Sequence, residues 1–226
     1  MDLRIDFNDA DFRAGVVVAR GVTVAPAPPD LAARLDDLIA RRSAEDFPPP
    51  PVKDAVRAML RKGGFKPAGR NKPASEYLAQ CAREGRFPRI NNLVDINNLL
   101  SLESGLPISL LDLAAVGENV EIRCGRHGER YVFNPTGQEI ELEGLICVCA
   151  RQDDGVSIPL GNPIKDSMTG KLKDHTRDVI GVIYSSIQAS CESTLQIVVD
   201  EFAQLLTRFG AATQADGAVY PRLRRS

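Results

Sequence analysis

The sequence predicts an α/β domain of the α+β type, in which strands and helices lie in separate layers. A valine-rich strand pattern stands near the start, and helical patterns fill the rest of the first half. Short alternating strand patterns with frequent turn residues fill most of the second half, and a long helical pattern follows them. Strands that succeed one another at short intervals form antiparallel meanders, so we expect a mostly antiparallel second half with a C-terminal covering helix.

One strand and four helices are predicted in the first half. The strand covers 14–24, and proline-rich stretches, one of them at 48–51, separate the units that follow. Gly105 ends the last of the four helices and Pro107 prevents its continuation, so 106–113 should return as an ordered loop. The four predicted helices are 30–42, 52–62, 73–84 and 91–104.

Five strands, a polar loop and a helix are predicted in the second half. The loop, 156–178, is long for a compact domain, and loops of that length are usually functional or mobile. Apolar residues at helical spacing from Leu195 to Phe209 predict the covering helix, which Gly210 ends. The predicted strands are 119–124, 130–134, 138–144, 145–152 and 179–184.

Composition indicates one globular domain. The chain has 226 residues, 43% hydrophobic and 26% charged, and its first residues carry acids where a signal peptide would carry basic residues and an apolar run. No apolar stretch approaches the length of a membrane span. We expect a polar N-terminal segment over 1–13, a single domain over 14–210 and a loosely held tail over 211–226.

Cysteine usage indicates a cytoplasmic protein with reduced thiols. The five cysteines are an odd number at scattered spacing, which argues against a disulfide framework. Cys147 and Cys149 are separated by one residue, unlike the ligands of a zinc knuckle. We therefore expect no metal, no other cofactor and no membrane partner.

The predicted helix 91–104 has one apolar side and one polar side. Asn91, Asp95 and Asn98 share a face because residues three and four apart are neighbours on a helix. A core accepts a carboxylate and two amides only when each has a partner, whereas a binding site uses such groups to hold a polar ligand. The polar side of this helix therefore has both a structural and a functional interpretation.

A basic block precedes this helix. Between Lys53 and Arg89 there are ten basic residues and three acidic ones, a net charge of +7 in a chain whose formal charge is −2. Basic residues can simply be solvated, but a local positive field also attracts a phosphate backbone. The glycines here lack the Gly-Lys-Ser/Thr ending of a nucleotide P-loop, so a nucleotide cradle of that kind is not favoured.

The residues INNLVDINNLLSLESGLPISLLDL resemble part of the B3/B4 editing domain of the bacterial phenylalanyl-tRNA synthetase beta subunit. That segment has a Val-Asp-x-x-Asn helix, then Gly-x-Pro, then an Asp; here these are Val94, Asp95, Asn98, Gly105, Pro107 and Asp112. The resemblance covers roughly 14–205 and suggests a free-standing domain and not a complete synthetase. It implies a three-layer β/β/α sandwich with a pocket between a sheet and the helix 91–104.

In the synthetase, that pocket hydrolyses the ester of tyrosine wrongly joined to its tRNA. The resemblance places Asn98 at the asparagine of the pocket and Ser109 where the synthetase has a histidine. It places Val182 where the synthetase has a glutamate that binds tyrosine, so tyrosine specificity should not be transferred. An aminoacyl ester is already activated, and holding it beside an aimed water can supply much of the rate enhancement.

Further site residues are expected around the long loop. The resemblance puts Gly161 and Asn162 in a turn that faces the amino acid and Thr176 before the last strand. Asp95, Asp166, Thr176 and Val182 complete the predicted substrate-binding set. His175 is the expected proton-handling residue, because histidine titrates near neutral pH. The predicted catalytic set is Asn98, Ser109 and His175.

Two functions remain open. One is a hydrolase that deacylates misacylated aminoacyl-tRNA in trans; the other is a module that binds RNA or an amino acid without turnover. A serine hydrolase acting through Ser109 is less favoured, because no Gly-x-Ser-x-Gly motif surrounds it. The expected partners are tRNA or aminoacyl-tRNA and an amino acid, with no DNA. The residues expected nearest to RNA are Arg70, Lys72, Lys66 and Arg89.

Overall fold

The computed structural model describes residues 1–7 and 9–221. Within them lie ten strands, six α-helices and a short 3-10 helix at Gly69–Asn71. The strands are β1 (Asp2–Asp6), β2 (Phe12–Arg20), β3 (Ile108–Asp112), β4 (Asn119–Cys124), β5 (Arg130–Val132), β6 (Glu139–Glu141), β7 (Ile146–Arg151), β8 (Ser157–Gly161), β9 (Asp178–Ser186) and β10 (Gln214–Tyr220). The α-helices are α1 (Pro29–Ser43), α2 (Pro50–Arg61), α3 (Ala74–Arg83), α4 (Asn92–Ser104), α5 (Leu113–Val116) and α6 (Glu192–Gly210).

The strands form two four-stranded sheets and a small ribbon. The first sheet has the order β1-β4-β7-β8, and we call it the mixed sheet because β1 runs parallel to β4 while the other pairs are antiparallel. The second has the order β10-β2-β9-β3, and we call it the antiparallel sheet because every pair in it is antiparallel. The ribbon pairs β5 with β6.

Helices cover the face of the antiparallel sheet that is turned away from the mixed sheet. α6 lies close against it: a Cβ added at Gly181 would stand 2.4 Å from the Phe202 ring, and one at Gly15 would stand 2.6 Å from Val199. α4 packs against α1, α3, α6 and β3. The predicted three-layer β/β/α sandwich with a covering C-terminal helix is confirmed.

α4 begins and ends as its sequence predicts. The Asn91 side chain caps the helix by accepting a hydrogen bond from the Val94 N–H at 2.9 Å, and Gly105 ends it in the left-handed region with φ of 76°. Because other elements surround α4, most of its residues are buried, polar ones included. The polar side of α4 therefore faces the protein interior and not bulk solvent.

The structure corrects the prediction in four places. The expected loop 106–113 contains β3, whose pairing with β9 depends on residues far away in sequence. The long polar loop begins with β8, which pairs with β7. The N-terminal segment contributes β1 to the edge of the mixed sheet, and the expected loose tail contributes β10 to the edge of the antiparallel sheet. Residues 222–226 of that tail lie outside the described residues.

No helix in the described part of the chain is both long and apolar enough to cross a membrane.

Candidate functional site

A cavity of about 400 Å³ lies between α3, α4, β3 and the segment that follows β8; we call it the α4 cavity. Most of its wall is apolar, with Ile108 and Leu110 of β3 facing Leu78 of α3 and Val94 of α4. Its volume is within the range of small-molecule sites, which are mostly apolar with a few converging polar groups. The residues in its wall that carry polar groups are Tyr77, Asn91, Asn97, Asn98, Asp166 and Lys171.

Two neighbouring amides of α4 form part of the polar wall. Asn97 and Asn98 are 9% and 7% exposed, and the Asn97 Nδ2 donates to the Asn98 Oδ1 across 3.5 Å. The Asn97 Oδ1 is buried without a hydrogen-bond partner. A buried carbonyl oxygen of this kind costs about 1–3 kcal/mol, so such groups in native proteins call for an explanation. A ligand that donates a hydrogen bond would supply the partner.

Asp166 is the carboxyl group in the wall of this cavity. Its Oδ1 accepts hydrogen bonds from the Ser109 hydroxyl at 2.6 Å and from the Asn162 N–H at 3.2 Å. Burial raises the pKa of this carboxyl to about 7, while those donors, the Leu110 N–H and the charge of Lys171 act in the opposite direction. A carboxyl group with a pKa near neutral can exchange a proton at physiological pH.

Ser109 holds this carboxyl in place and does not line the cavity. Its side chain is fully buried on the opposite face of β3 from Ile108 and Leu110. Besides Asp166, its hydroxyl contacts the Tyr184 hydroxyl at 2.9 Å and the Asn162 carbonyl at 3.2 Å. The prediction of a directly catalytic Ser109 is corrected, because its oxygen is already engaged and has no access to a substrate.

Hydrogen bonds of the Asn162 side chain hold the turn after β8 in place. The Asn162 Oδ1 accepts hydrogen bonds from the N–H groups of Ile164 at 2.7 Å and Lys165 at 2.8 Å, while its Nδ2 donates to the Tyr131 hydroxyl. A Cβ at Gly161 would come within 3.0 Å of the Asp166 Oδ1, so glycine leaves space for that carboxyl. Gly161 and Asn162 therefore position Asp166 and do not themselves line the α4 cavity.

A second cavity, of about 670 Å³, adjoins the first; we call it the basic cavity. Both cavities are lined by Tyr77, Asp166 and Lys171, and the basic cavity adds Arg70, Lys72 and Lys165. Four cations thus surround one carboxyl group.

Two of these cations contact Phe133 and form no ion pair within the described residues. Lys165 lies over the Phe133 ring at 4.1 Å, and burial together with the charge of Arg70 lowers its pKa. The Lys171 Nζ donates to the Phe133 carbonyl at 2.5 Å, and burial lowers its pKa. Among the described residues, no carboxylate forms an ion pair with Arg70, Lys165 or Lys171.

Three predicted substrate-binding residues lie outside the α4 cavity. Asp95 accepts a hydrogen bond from the Ile90 N–H at 3.1 Å and lies 3.8 Å from Arg89, so it stabilises the first turn of α4. Burial raises its pKa. Val182 is fully buried in β9, where it pairs with Ser109. Thr176 donates to the Asp112 carboxylate at 2.7 Å.

His175 also lies elsewhere. It lines a different cavity together with Asp112 and Thr176, and that cavity shares no lining residue with the α4 cavity. The structure therefore corrects the prediction that His175 acts beside Asn98, since the chain separates them onto different surfaces.

Of the four predicted RNA-binding residues, two line the basic cavity and two do not. Arg70 and Lys72 line the basic cavity. Arg89 is engaged by acids, namely Asp36 and, at 3.8 Å, Asp95. Lys66 is exposed and lines none of the cavities described above.

A comparison with protein families shows to which family this chain belongs. A family model described as the B3/4 domain matches residues 65–190, which is more than half of the chain and contains α3, α4, β3 and the turn after β8. The chain belongs to the B3/4 domain family. The resemblance read from the sequence is thereby confirmed.

Curated relatives of this B3/4 domain are phenylalanine–tRNA ligase beta subunits. That of Pseudomonas putida is 25% identical over 185 residues, covering 77% of this chain and 23% of the relative. Those of Aquifex aeolicus and Bartonella henselae are 29% and 32% identical, covering 46% and 39% of this chain and 12% and 11% of the relatives. The chain thus spans less than a quarter of the length of these relatives.

One solved structure is also similar. It is an N-terminal fragment of the phenylalanyl-tRNA synthetase beta subunit from Pyrococcus horikoshii, with a TM-score of 0.40 and 14% identity. The alignment covers 56% of this chain and 40% of that one. A likeness this distant says nothing about function.

The sequence did not indicate Asn97, Tyr77, Lys165 or Lys171 as site residues. For Asn97 a signal exists, because INN occurs twice in the α4 segment and Asn97 is the neighbour of the predicted Asn98. The two lysines belong to an ordinary polar segment, and only its fold against β3 and α3 brings them to the cavities.

Proposed function

We propose that this B3/4 domain hydrolyses the ester bond of misacylated aminoacyl-tRNA in trans, with the amino acid held in the α4 cavity. The observation that carries the proposal is Asp166, a carboxyl group with a pKa near 7 at the junction of an apolar cavity and a basic one. The apolar wall suits an aliphatic or aromatic side chain, and the basic side suits the phosphates of the RNA. The curated relatives, which are tRNA ligase subunits, support the substrate class.

The chemistry requires a proton acceptor, a positioned ester and a stabilised oxyanion. The ionised Asp166 accepts a proton from water while the water oxygen adds to the ester carbonyl. The carbonyl oxygen becomes the oxyanion, for which the amide of Asn98 and the ammonium group of Lys171 are the donors in the cavity wall. The bond to the ribose oxygen then breaks, and that oxygen takes the proton from Asp166.

Ser109 acts in this scheme as a positioning residue. Its hydroxyl donates to the Asp166 Oδ1 at 2.6 Å and is itself held by Tyr184, so it fixes the orientation of the carboxyl group. The orphaned Asn97 Oδ1 provides an acceptor for the α-ammonium group of the amino acid. The proposal does not specify which amino acid is bound, because the wall of the α4 cavity lacks a group that would select one side chain.

The experiment measures release of labelled amino acid from a panel of misacylated tRNAs, after subtraction of the uncatalysed rate at each pH. The wild-type rate is expected to rise with pH through about 7, the pKa of Asp166. Asp166→Asn should lower the rate about 100-fold or more, the usual effect of a general base, and should remove that rise. Asp153→Asn, an exposed aspartate in the turn after β7, is the matched control.

The alternative function is a binding module without turnover. The buried Val182 and the separated His175 favour it, because neither supplies the chemistry expected from the sequence. If no misacylated tRNA is deacylated faster by wild type than by Asp166→Asn, the hydrolase proposal is refuted. Cytoplasmic localisation remains a prediction from composition.

A further inference from the structure

A cavity of about 530 Å³ lies at the end of the antiparallel sheet where β2 begins and β9 ends; we call it the aspartate cavity. Residues of α2 form its other wall. Among the described residues it shares none of its lining with the α4 cavity or the basic cavity. A ligand of this cavity would therefore not compete with a ligand of the proposed active site.

Three aspartates line the aspartate cavity against one cation. Asp9 and Asp11 precede β2, Asp54 belongs to α2, and Lys62 follows the end of that helix. The Lys62 Nζ lies 3.6 Å from the Asp9 Oδ1, and the Asp11 Oδ2 accepts a hydrogen bond from the Gln188 Nε2 at 2.8 Å. The lining thus carries an excess of negative charge, which attracts a cationic group.

Asp9 contains the unsatisfied polar atom of this cavity. Its side chain is 6% exposed, and its Oδ1 accepts a hydrogen bond from the Asp11 N–H at 3.1 Å. Among the described residues, the buried Asp9 Oδ2 has no hydrogen-bond partner. A buried charged oxygen without a donor destabilises the folded state. A donor that enters the cavity would supply the partner, because the last torsion of an aspartate side chain turns easily.

The rest of the lining is largely apolar and belongs to α2. It consists of Pro51, Ala55, Ala58 and Met59. A metal ion does not suit this lining, since within the described residues no group of three or more His, Cys, Asp or Glu could hold one. An arginine side chain suits both parts, because its methylene groups pack on apolar surface while its guanidinium group presents five donors to carboxylates.

We propose that the aspartate cavity binds an arginine side chain of a protein partner. The guanidinium group lies between Asp9, Asp11 and Asp54, and the methylene groups lie on α2. Ile187 is 46% exposed and precedes Gln188 of the lining, so an apolar residue beside the arginine finds a contact there. The partner is therefore a segment in which arginine stands next to an apolar residue. This inference does not depend on the proposed function.

The test is a titration of the full chain, labelled with ¹⁵N, with the peptide Gly-Ser-Arg-Leu-Ser-Gly blocked at both ends. The amide signals of Asp11, Asp54 and Ile187 should shift in the NMR spectrum. Those of Ile108 and Leu110, which line the α4 cavity, should not. The dependence of the shifts on peptide concentration gives the dissociation constant that the variants are compared by.

Two aspartate variants test the acidic lining. Asp9→Asn keeps an oxygen for the Asp11 N–H but loses the charge, so binding should weaken about tenfold. Asp54→Asn changes an exposed residue and should weaken binding about threefold. Asp37→Asn is the matched control, because it makes the same change of charge at an exposed position on α1 that lines none of these cavities. It should leave the dissociation constant unchanged.

A change in the opposite direction separates binding from a structural effect. Lys62→Gln removes the cation beside Asp9 and should strengthen binding about threefold, because Lys62 competes with the guanidinium group. A peptide with citrulline in place of arginine has nearly the same shape without the charge. It should not shift the amide signals.

Several results would overturn the inference. They are unchanged affinity in both Asp9→Asn and Asp54→Asn, equal binding of the citrulline peptide, or equal shifts caused by spermidine, which would indicate a free polyamine. A tenfold gain in the variant Arg222→Gln/Arg224→Gln/Arg225→Gln would indicate that basic residues of this chain occupy the cavity. Signals that broaden with protein concentration in wild type but not in Asp9→Asn would indicate a second copy of this chain.

Discussion

The Asp166 side chain makes a prediction about stability that can be worked out from its surroundings. Its pKa is about 7 in the folded protein against 3.8 for an ordinary aspartate. Between these two values the folded state binds more protons than the unfolded chain. The free energy of unfolding therefore falls as pH rises from about 4 to about 7, because the native state must then hold a partly buried carboxylate.

The size of the effect has an upper limit. A shift of one pKa unit corresponds to about 1.4 kcal/mol, so three units give a ceiling of about 4 kcal/mol. Asp166 is only partly buried, and solvent screening reduces this to about 2 kcal/mol. Asp166→Asn keeps an acceptor oxygen for Ser109 and the neighbouring N–H groups but carries no charge. The variant should therefore be more stable than wild type by about 2 kcal/mol at pH 8.5 and no more stable at pH 4.

Urea unfolding, monitored by circular dichroism at pH 4, 6, 7 and 8.5, measures this difference in stability. About 2 kcal/mol in a chain of this size corresponds to a rise of roughly 4–8 °C in Tm. Asp153→Asn in the turn after β7 should show no difference that depends on pH in this range. If the gain from Asp166→Asn were the same at pH 4 and pH 8.5, the reasoning about the buried carboxyl would be refuted.

Three other variants test separate parts of the structure. Gly181→Ala should destabilise the fold by about 1–3 kcal/mol in urea unfolding, because its Cβ would meet the Phe202 ring at 2.4 Å; an unchanged midpoint would contradict the packing of α6. Arg57→Ala should cost about 1.5–3 kcal/mol, since it leaves the buried Glu76 without the two hydrogen bonds at 2.7 and 2.6 Å that join α2 to α3; the smaller loss of an exposed pair would contradict this. His175→Ala should change the deacylation rate less than twofold, and a loss comparable to that of Asp166→Asn would restore the assignment made from sequence.

Local signals predicted the helices well. The start of α4 follows from a cap that Asn91 makes with a residue three positions later, and its end follows from Gly105. Such contacts depend only on neighbours in sequence, so a pattern can reveal them. The edge strands were missed for the opposite reason: β3 and β10 owe their existence to hydrogen bonds with β9 and β2, far along the chain.

In the candidate site, too, local features could be predicted and features that depend on distant contacts could not. Asn98 and Asp166 could be selected by their residue types and their positions, and both line the α4 cavity. The proton-handling role that we propose for Asp166 could not be predicted, because its raised pKa results from burial by elements far apart in sequence. His175 was favoured for its ordinary chemistry, but only the path of the chain between β8 and β9 shows that it lies at another cavity.

Under the proposed function, the alternation of side chains along β3 would separate substrate selectivity from reactivity. Ile108 and Leu110 point into the α4 cavity, while Ser109 between them points to the other side and holds Asp166. Replacing either aliphatic residue by a smaller or larger one would change which ligand fits the cavity. The Ser109 hydroxyl that fixes the Asp166 carboxyl group would stay in place. Under the proposed function, single substitutions at these two positions would therefore change which amino acid is accepted and leave Asp166 in place.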